Sequence, residues 1–137
     1  MSRSGTKPRV LDSFALLAYL GREPGFETVR TLLRSAEGSD RPAMMNEINV
    51  GEAYYRTARG RSTAKAEALL GILETLPIRI VGNSFSQVLD AARLKSQFPI
   101  AYADAFALAT AIREQAVLVT GDPEFRAIGD LVEIQWL

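Results

Sequence analysis

The sequence predicts an α/β fold with a mainly parallel central sheet and helices on both faces. Two observations carry this reading. Short apolar strand patterns are separated by one or two helical patterns, which supplies the crossover connections that parallel strands require. The strongest strand, Ala116-Val117-Leu118-Val119-Thr120, is an uninterrupted apolar run of the kind buried on both faces. Composition agrees with one globular domain, since the 137 residues are 47% hydrophobic and 23% charged. A chain of this size buries roughly two-thirds of its unfolded surface, enough for a core without disulfides or structural zinc. With no Cys and no His, it has neither staple to use.

Residues 1–8 read as a flexible basic tail and residues 9–137 as the single domain. Arg9-Val10-Leu11 is the first strand, and Asp12-Ser13 caps a helix through Phe14, Leu16, Leu17, Tyr19 and Leu20, with Gly21 as its stop. After the Pro24-Gly25 turn, Phe26, Val29, Leu32, Leu33 and Ala36 recur at helical spacing, until Gly38 to Pro42 breaks the chain. Ala43-Met44-Met45 is a short strand. Asn46 caps a third helix that runs to Arg59 and stops at Gly60, and Ser62 starts a fourth that ends near Thr75. Pro77 introduces the strand Ile78 to Val81. Ser84 to Lys95 and Ala101 to Gln115 are the fifth and sixth helices, followed by the strand ending at Thr120. A last strand, Leu131 to Trp136, closes an edge.

The basic start ahead of Val10 to Leu20 has the outline of a signal peptide. Asp12 interrupts its apolar stretch, and Leu20-Gly21-Arg22-Glu23 offers no small-residue cleavage site. The expected location is therefore cytoplasmic. No run approaches the roughly 18 apolar residues of a membrane span.

Absence of His and Cys excludes thiol nucleophiles, Ser-His-Asp triads, His-based acid–base pairs and ordinary zinc sites. Zero formal net charge argues against a protein that coats nucleic acid or membranes by bulk electrostatics. What remains is chemistry on carboxylates, hydroxyls, Lys or Arg, with or without a hard metal ion.

Four carboxylates stand out. Asp12 follows the first strand and Asp122 follows the strongest one, so both fall on the carboxyl edge where α/β sheets bind ligands. Each also has a bland role open to it, Asp12 as a helix cap and Asp122 as a turn former in Gly121-Asp122-Pro123. Asp104 lies on the stripe Ala101, Ala105, Leu108, Ala111 and Ile112, which is otherwise apolar, so a charge faces the core. Glu52 sits between the small residues Gly51 and Ala53, which permit close approach of another element. Its rival Glu47 lies in the first turn after Asn46, where negative charge is favoured by the helix dipole, and is assigned to capping. Two carboxylates about 4 Å apart repel by about 4 kcal/mol at an effective dielectric near 20, so a converged set calls for cations. Oxygen-only ligation selects magnesium or manganese, and the matching reaction is metal-assisted phosphodiester hydrolysis.

Taken in order, these segments resemble those of the PIN-domain nucleases, and most closely the VapC-like toxins of toxin–antitoxin pairs. Val10-Leu11-Asp12-Ser13 is similar to the opening strand and first acid, and Asn49-Val50-Gly51-Glu52 to the helix carrying the second. Tyr102 to Ala109 resembles the Asp-Ala helix, and Val119-Thr120-Gly121-Asp122-Pro123-Glu124-Phe125 the final acid turn. The resemblance covers Val10 to Trp136, and the basic start before Val10 departs from it. It implies a three-layer PIN-like fold and a magnesium- or manganese-dependent endoribonuclease. Asp12 and Asp104 are then the principal metal ligands, joined by Asp122, while Glu52 completes the catalytic acids. Ser13 and Thr120 would support them by hydrogen bonding. An RNA substrate, a cognate antitoxin and a homodimer are the implied partners.

Arg56, Arg59, Arg61 and Lys65 form a basic cluster that either tracks RNA phosphates or is a solvated surface. Tyr54, Tyr55, Phe106 and Trp136 read as core or interface rather than base-stacking platforms. The large apolar groups of the early helices, among them Phe14, Leu17, Leu20, Phe26, Leu32 and Leu33, either stay partly exposed as a partner groove or belong to the core. Two other functions fit the fold class: a catalytically silent binding module, and a phosphate-handling signalling domain. The presence of all four acids argues against the first. Against a haloacid-dehalogenase-like phosphotransferase, Asp12-Ser13-Phe14 lacks a second Asp two residues on.

Overall fold

The structure, a computed structural model, describes residues 7–137. Strand β1 (Arg9–Leu11) leads into α1 (Ser13–Leu20) and α2 (Phe26–Ala36), and β2 (Ala43–Asn46) into α3 (Glu47–Gly60) and α4 (Thr63–Leu73). Then follow β3 (Ile78–Val81), α5 (Phe85–Gln97), α6 (Tyr102–Glu114), β4 (Val117–Thr120), a 3₁₀ helix (Pro123–Ile128) and β5 (Ile134–Trp136). The five strands are ordered β3-β2-β1-β4-β5, and every pairing is parallel. The chain builds outward from β1 to β2 and β3, then returns to add β4 and β5 on the other side. Strand order therefore reverses between β1 and β4, the place where open α/β sheets form their ligand crevice.

Alternation along the central strands makes the layers. Val10, Met44 and Leu118 point to one face, where they join Ile100, Phe106, Leu108 and Phe125 in a buried cluster. Their neighbours Leu11, Ala43 and Val119 point to the other, against Ala15, Val29, Leu32 and Leu33. Met45 extends that second face into a third cluster with Leu16, Ala53, Leu69 and Leu73. Each large side chain so buried stabilises the fold by about 1.5–3 kcal/mol. Helix α6 is buried continuously from Asp104 through Ala111, and its alanines let it pack closely on its neighbours. Among the elements that differ in extent from the sequence expectation, α5 continues to Gln97, and β5 begins only at Ile134 because the preceding residues form a turn with Leu131 exposed.

Caps fix where the helices begin. Asn46 accepts from the Ile48 N–H, while its amide donates to Asn83 Oδ1 and Thr110 Oγ1, tying α3 to the end of β3 and to α6. Glu47 occupies the first turn of α3, as expected, beside the Asn46 cap. Its carboxylate accepts from the Asn83 backbone N–H and side-chain amide at 3.0 and 3.1 Å, so it braces the segment after β3. Most of the expected tail lies outside the described residues. Of its last two residues, Lys7 pairs with Glu133 at 3.3 Å and the Pro8 carbonyl accepts from the Val117 N–H, which joins Pro8 to the sheet.

Candidate active site

Strands β1 and β4 end side by side, with Leu11 in register with Val119, and each delivers an acid at its carboxyl end. Asp12 is almost fully buried. Its Oδ1 accepts from the Ala15 N–H at 2.9 Å, capping α1, and its Oδ2 accepts from the Thr120 hydroxyl at 2.5 Å. The same Thr120 oxygen accepts from the Asp122 N–H at 2.9 Å, so one hydroxyl positions both acids. Asp122 Oδ1 in turn accepts from the Glu124 N–H and starts the 3₁₀ helix. The capping and turn roles open to Asp12 and Asp122 are thus real, and they coexist with a place on the ligand edge.

The other acids arrive on helices. Ser13 donates to Glu52 Oε1 at 2.6 Å, and Arg56, one turn further along α3, lies 3.5 Å from Glu52 Oε2. Asp104 sits in the first turn of α6, buried, and its Oδ2 has no hydrogen-bond partner. Asp104, Asp122 and Glu124 each offer a carboxylate oxygen within 4.8 Å of the others. Glu124 is the acid that sequence reasoning did not single out. It reaches the cluster because the 3₁₀ helix folds directly after Asp122, and its carboxylate also accepts from the Ala101 N–H at the start of α6.

Burial and mutual repulsion act on these acids together. Burial pushes Asp12 up to about 7, against the opposing hydrogen bonds from Thr120 and Ala15, with the negative charges of Asp122 and Glu52 adding to the rise. Asp104 is also raised, by burial first and then by the neighbouring carboxyl groups of Asp122, Asp12, Glu124 and Glu52. All four expected acids therefore converge on one edge, with Glu124 as a fifth. The donor set fits a hard divalent cation: it is all oxygen, it is crowded with negative charge, and the buried Asp104 Oδ2 has no protein donor to satisfy it. Asp104, Asp122 and Glu124 would hold such an ion, with Asp12 beside them.

The remaining expectations divide. Phe106 is core, whereas Tyr55 and Trp136 are about half exposed, and Tyr54 hydrogen-bonds Glu67. Leu32 and Leu33 are buried, while Phe14 remains exposed and Leu17, Leu20 and Phe26 are partly buried. Arg56, Arg61 and Lys65 share one groove, and Arg59 lies over the Tyr55 ring instead.

Together, the parallel sheet, the reversal beside β1 and the acid cluster at its carboxyl edge define an α/β domain with an acidic crevice whose oxygen donors fit a divalent cation. The chain belongs to the PIN domain family, whose model matches residues 9–131. The fold is that of the VapC toxins of VapBC pairs. A chain of the VapBC2 complex from Rickettsia felis, solved bound to a DNA fragment from its promoter, superposes with a TM-score of 0.72 at 17% identity, covering 93% of this chain and 96% of that one. VapC20 of Mycobacterium tuberculosis, described as a sarcin-ricin loop cleaving toxin, gives 0.69 at 18% identity, covering 88% and 95%. FitAcB from Neisseria gonorrhoeae gives 0.66 at 24% identity, covering 92% and 95%. A comparison of the sequence with curated proteins finds no match.

Proposed function

We propose that residues 9–137 form a single metal-dependent endoribonuclease domain, the toxin component of a toxin–antitoxin pair, using magnesium or manganese. The observation that carries this reading is the partnerless, buried Asp104 Oδ2 inside a cluster of carboxylates at the carboxyl edge of a PIN-domain sheet. A divalent cation bound there supplies charge neutralisation and an activated water for phosphodiester hydrolysis. The protein's own part is positioning. Thr120 fixes Asp12 and Asp122 relative to each other, and Ser13 with Arg56 holds both oxygens of Glu52, so that Asp12, Glu52, Asp104 and Asp122 form the catalytic set. Asp12, Asp104 and Asp122 are the expected metal ligands, and Glu124 joins them.

The antitoxin reading rests on the VapBC complexes among the similar structures and on a groove of about 540 Å³ between α1, α3 and α4. Leu17, Leu20, Leu69 and Ile72 line it, which suits an apolar helical segment. A homodimer is proposed on the family resemblance, with Ile80, Phe85 and Leu89 as exposed apolar groups available to it. No described helix is long and apolar enough to cross a membrane.

The test is incubation of the purified chain with total RNA and magnesium or manganese, with and without the protein encoded beside it. Cleavage that the neighbour suppresses supports both parts. Cleavage without a complex removes the antitoxin part, and no cleavage with either metal removes the nuclease.

A further inference from the structure

Phe14 is a large apolar side chain that lies outside the buried clusters of the fold. It follows Ser13 on the first turn of α1, is 39% exposed, and belongs to none of the three buried clusters or to the half-buried groups packed on them. Yet it has a defined seat. Its ring lies so close to Gly121 that a Cβ there would fall 2.3 Å from Phe14 Cε1 and 2.6 Å from Cζ. Gly121 stands between Thr120 and Asp122, and Ser13, on the other side of the ring's own backbone, bonds Glu52. An exposed aromatic ring is thus seated on the turn that carries Asp122, one residue from the Ser13–Glu52 bond and two from Asp12. A glycine opposite makes the room.

Such a ring at the rim of an acidic, phosphodiester-hydrolysing crevice is suited to one kind of ligand group. Acids repel the phosphate backbone, so affinity for a single strand must come from elsewhere, and unstacked bases gain it by lying on aromatic faces. We propose that Phe14 is a substrate-positioning residue: its ring stacks an unpaired base of the RNA strand next to the scissile phosphate. This deepens the ribonuclease reading and rests on it. Stacking is tolerant of base identity, so Phe14 sets the need for an unpaired base rather than its sequence.

The test uses the full-length chain carrying Asp104→Asn, which silences cleavage, and fluorescence anisotropy with a labelled single-stranded oligoribonucleotide and with an abasic strand of the same length. Phe14→Leu keeps apolar bulk and removes the π face, and Phe14→Trp restores it. The expected result is that Phe14→Leu weakens the base-bearing strand about 5- to 150-fold, leaves the weaker abasic strand within about twofold, and is rescued by Phe14→Trp. Thermal melting of both variants close to the parent separates this from unfolding, as expected of a ring outside the core. Equal affinity of parent and Phe14→Leu for the base-bearing strand, while the unmutated chain cleaves RNA, overturns this inference alone. No cleavage by the unmutated chain with either metal overturns the ribonuclease reading and this inference with it.

Discussion

Replacing Asp12 by Asn should stabilise the cation-free protein, and by an amount that grows with pH. The asparagine keeps an acceptor for the Ala15 N–H and turns its amide N–H to the Thr120 oxygen, which then accepts instead of donating, while the charge that burial opposes is removed. The rise of the Asp12 carboxyl from 3.8 to about 7 means that, once ionised, it works against the folded state by about 4 kcal/mol. The sign follows from proton counting. Between about pH 4 and pH 7 the folded chain retains a proton that the unfolded chain has released, so wild-type stability falls as pH rises. The penalty is complete above about pH 7, amounts to about 1.5 kcal/mol at pH 5, and vanishes below about pH 4. Urea unfolding of wild type and Asp12→Asn in EDTA, at intervals from about pH 5 to pH 8, reads the gap directly. It should widen by about 3 kcal/mol over that range, and saturating magnesium or manganese should narrow it again by stabilising only the protein that holds the ion. A gap that stays constant with pH, or Asp12→Asn less stable at every pH, would refute the view of Asp12 as a buried charge awaiting a cation.

Three further outcomes are expected. Thr120→Val keeps the strand's shape but takes the donor from Asp12 and the acceptor from the Asp122 N–H, so it should cost about 1–3 kcal/mol and raise the pH midpoint of the Asp12 effect in the same unfolding series. Gly121→Ala places a Cβ against the Phe14 ring and should destabilise by about 1–3 kcal/mol. The loss should shrink in the Phe14→Ala background, and a double-mutant cycle in urea measures the coupling. Asn46→Ala removes the α3 cap and the bonds to Asn83 and Thr110 together, so its cost should exceed the roughly 1 kcal/mol of an ordinary cap in the same assay.

Much of the fold was legible because local signals agreed with it. Val117 to Thr120 read as a central strand from its unbroken apolar run, and Asp12, Asn46, Ser62 and Ser84 all cap helices as their residue types suggest. The acid cluster was legible where an acid followed a strand, as at Asp12 and Asp122, or broke an apolar stripe, as at Asp104. Glu124 was not, because its position depends on a 3₁₀ helix whose hydrophobic pattern consists of little more than Phe125 and Ile128. Its one visible signal was an acid two residues after Asp122, across a proline that holds the turn. Glu47 was legible only in part. Its place in the first turn of α3 is favourable for any acid, whereas its partner Asn83 is 36 residues away at the end of β3, a contact no local pattern encodes. Leu32 and Phe14 show the same limit for apolar groups, since helical spacing alone did not say that one is core and the other lies on the acid turn.

Whether the acid cluster is a cation-dependent nuclease centre is tested most directly by following manganese binding, by electron paramagnetic resonance, and RNA cleavage in one titration. The purified chain and its Asp104→Asn variant are compared. Cleavage by the unmutated chain should rise in step with bound manganese and stop in EDTA, while Asp104→Asn should lose both the tight binding and the cleavage. Cleavage that persists in EDTA, or an Asp104→Asn variant that binds manganese and cuts RNA as the unmutated chain does, would contradict it.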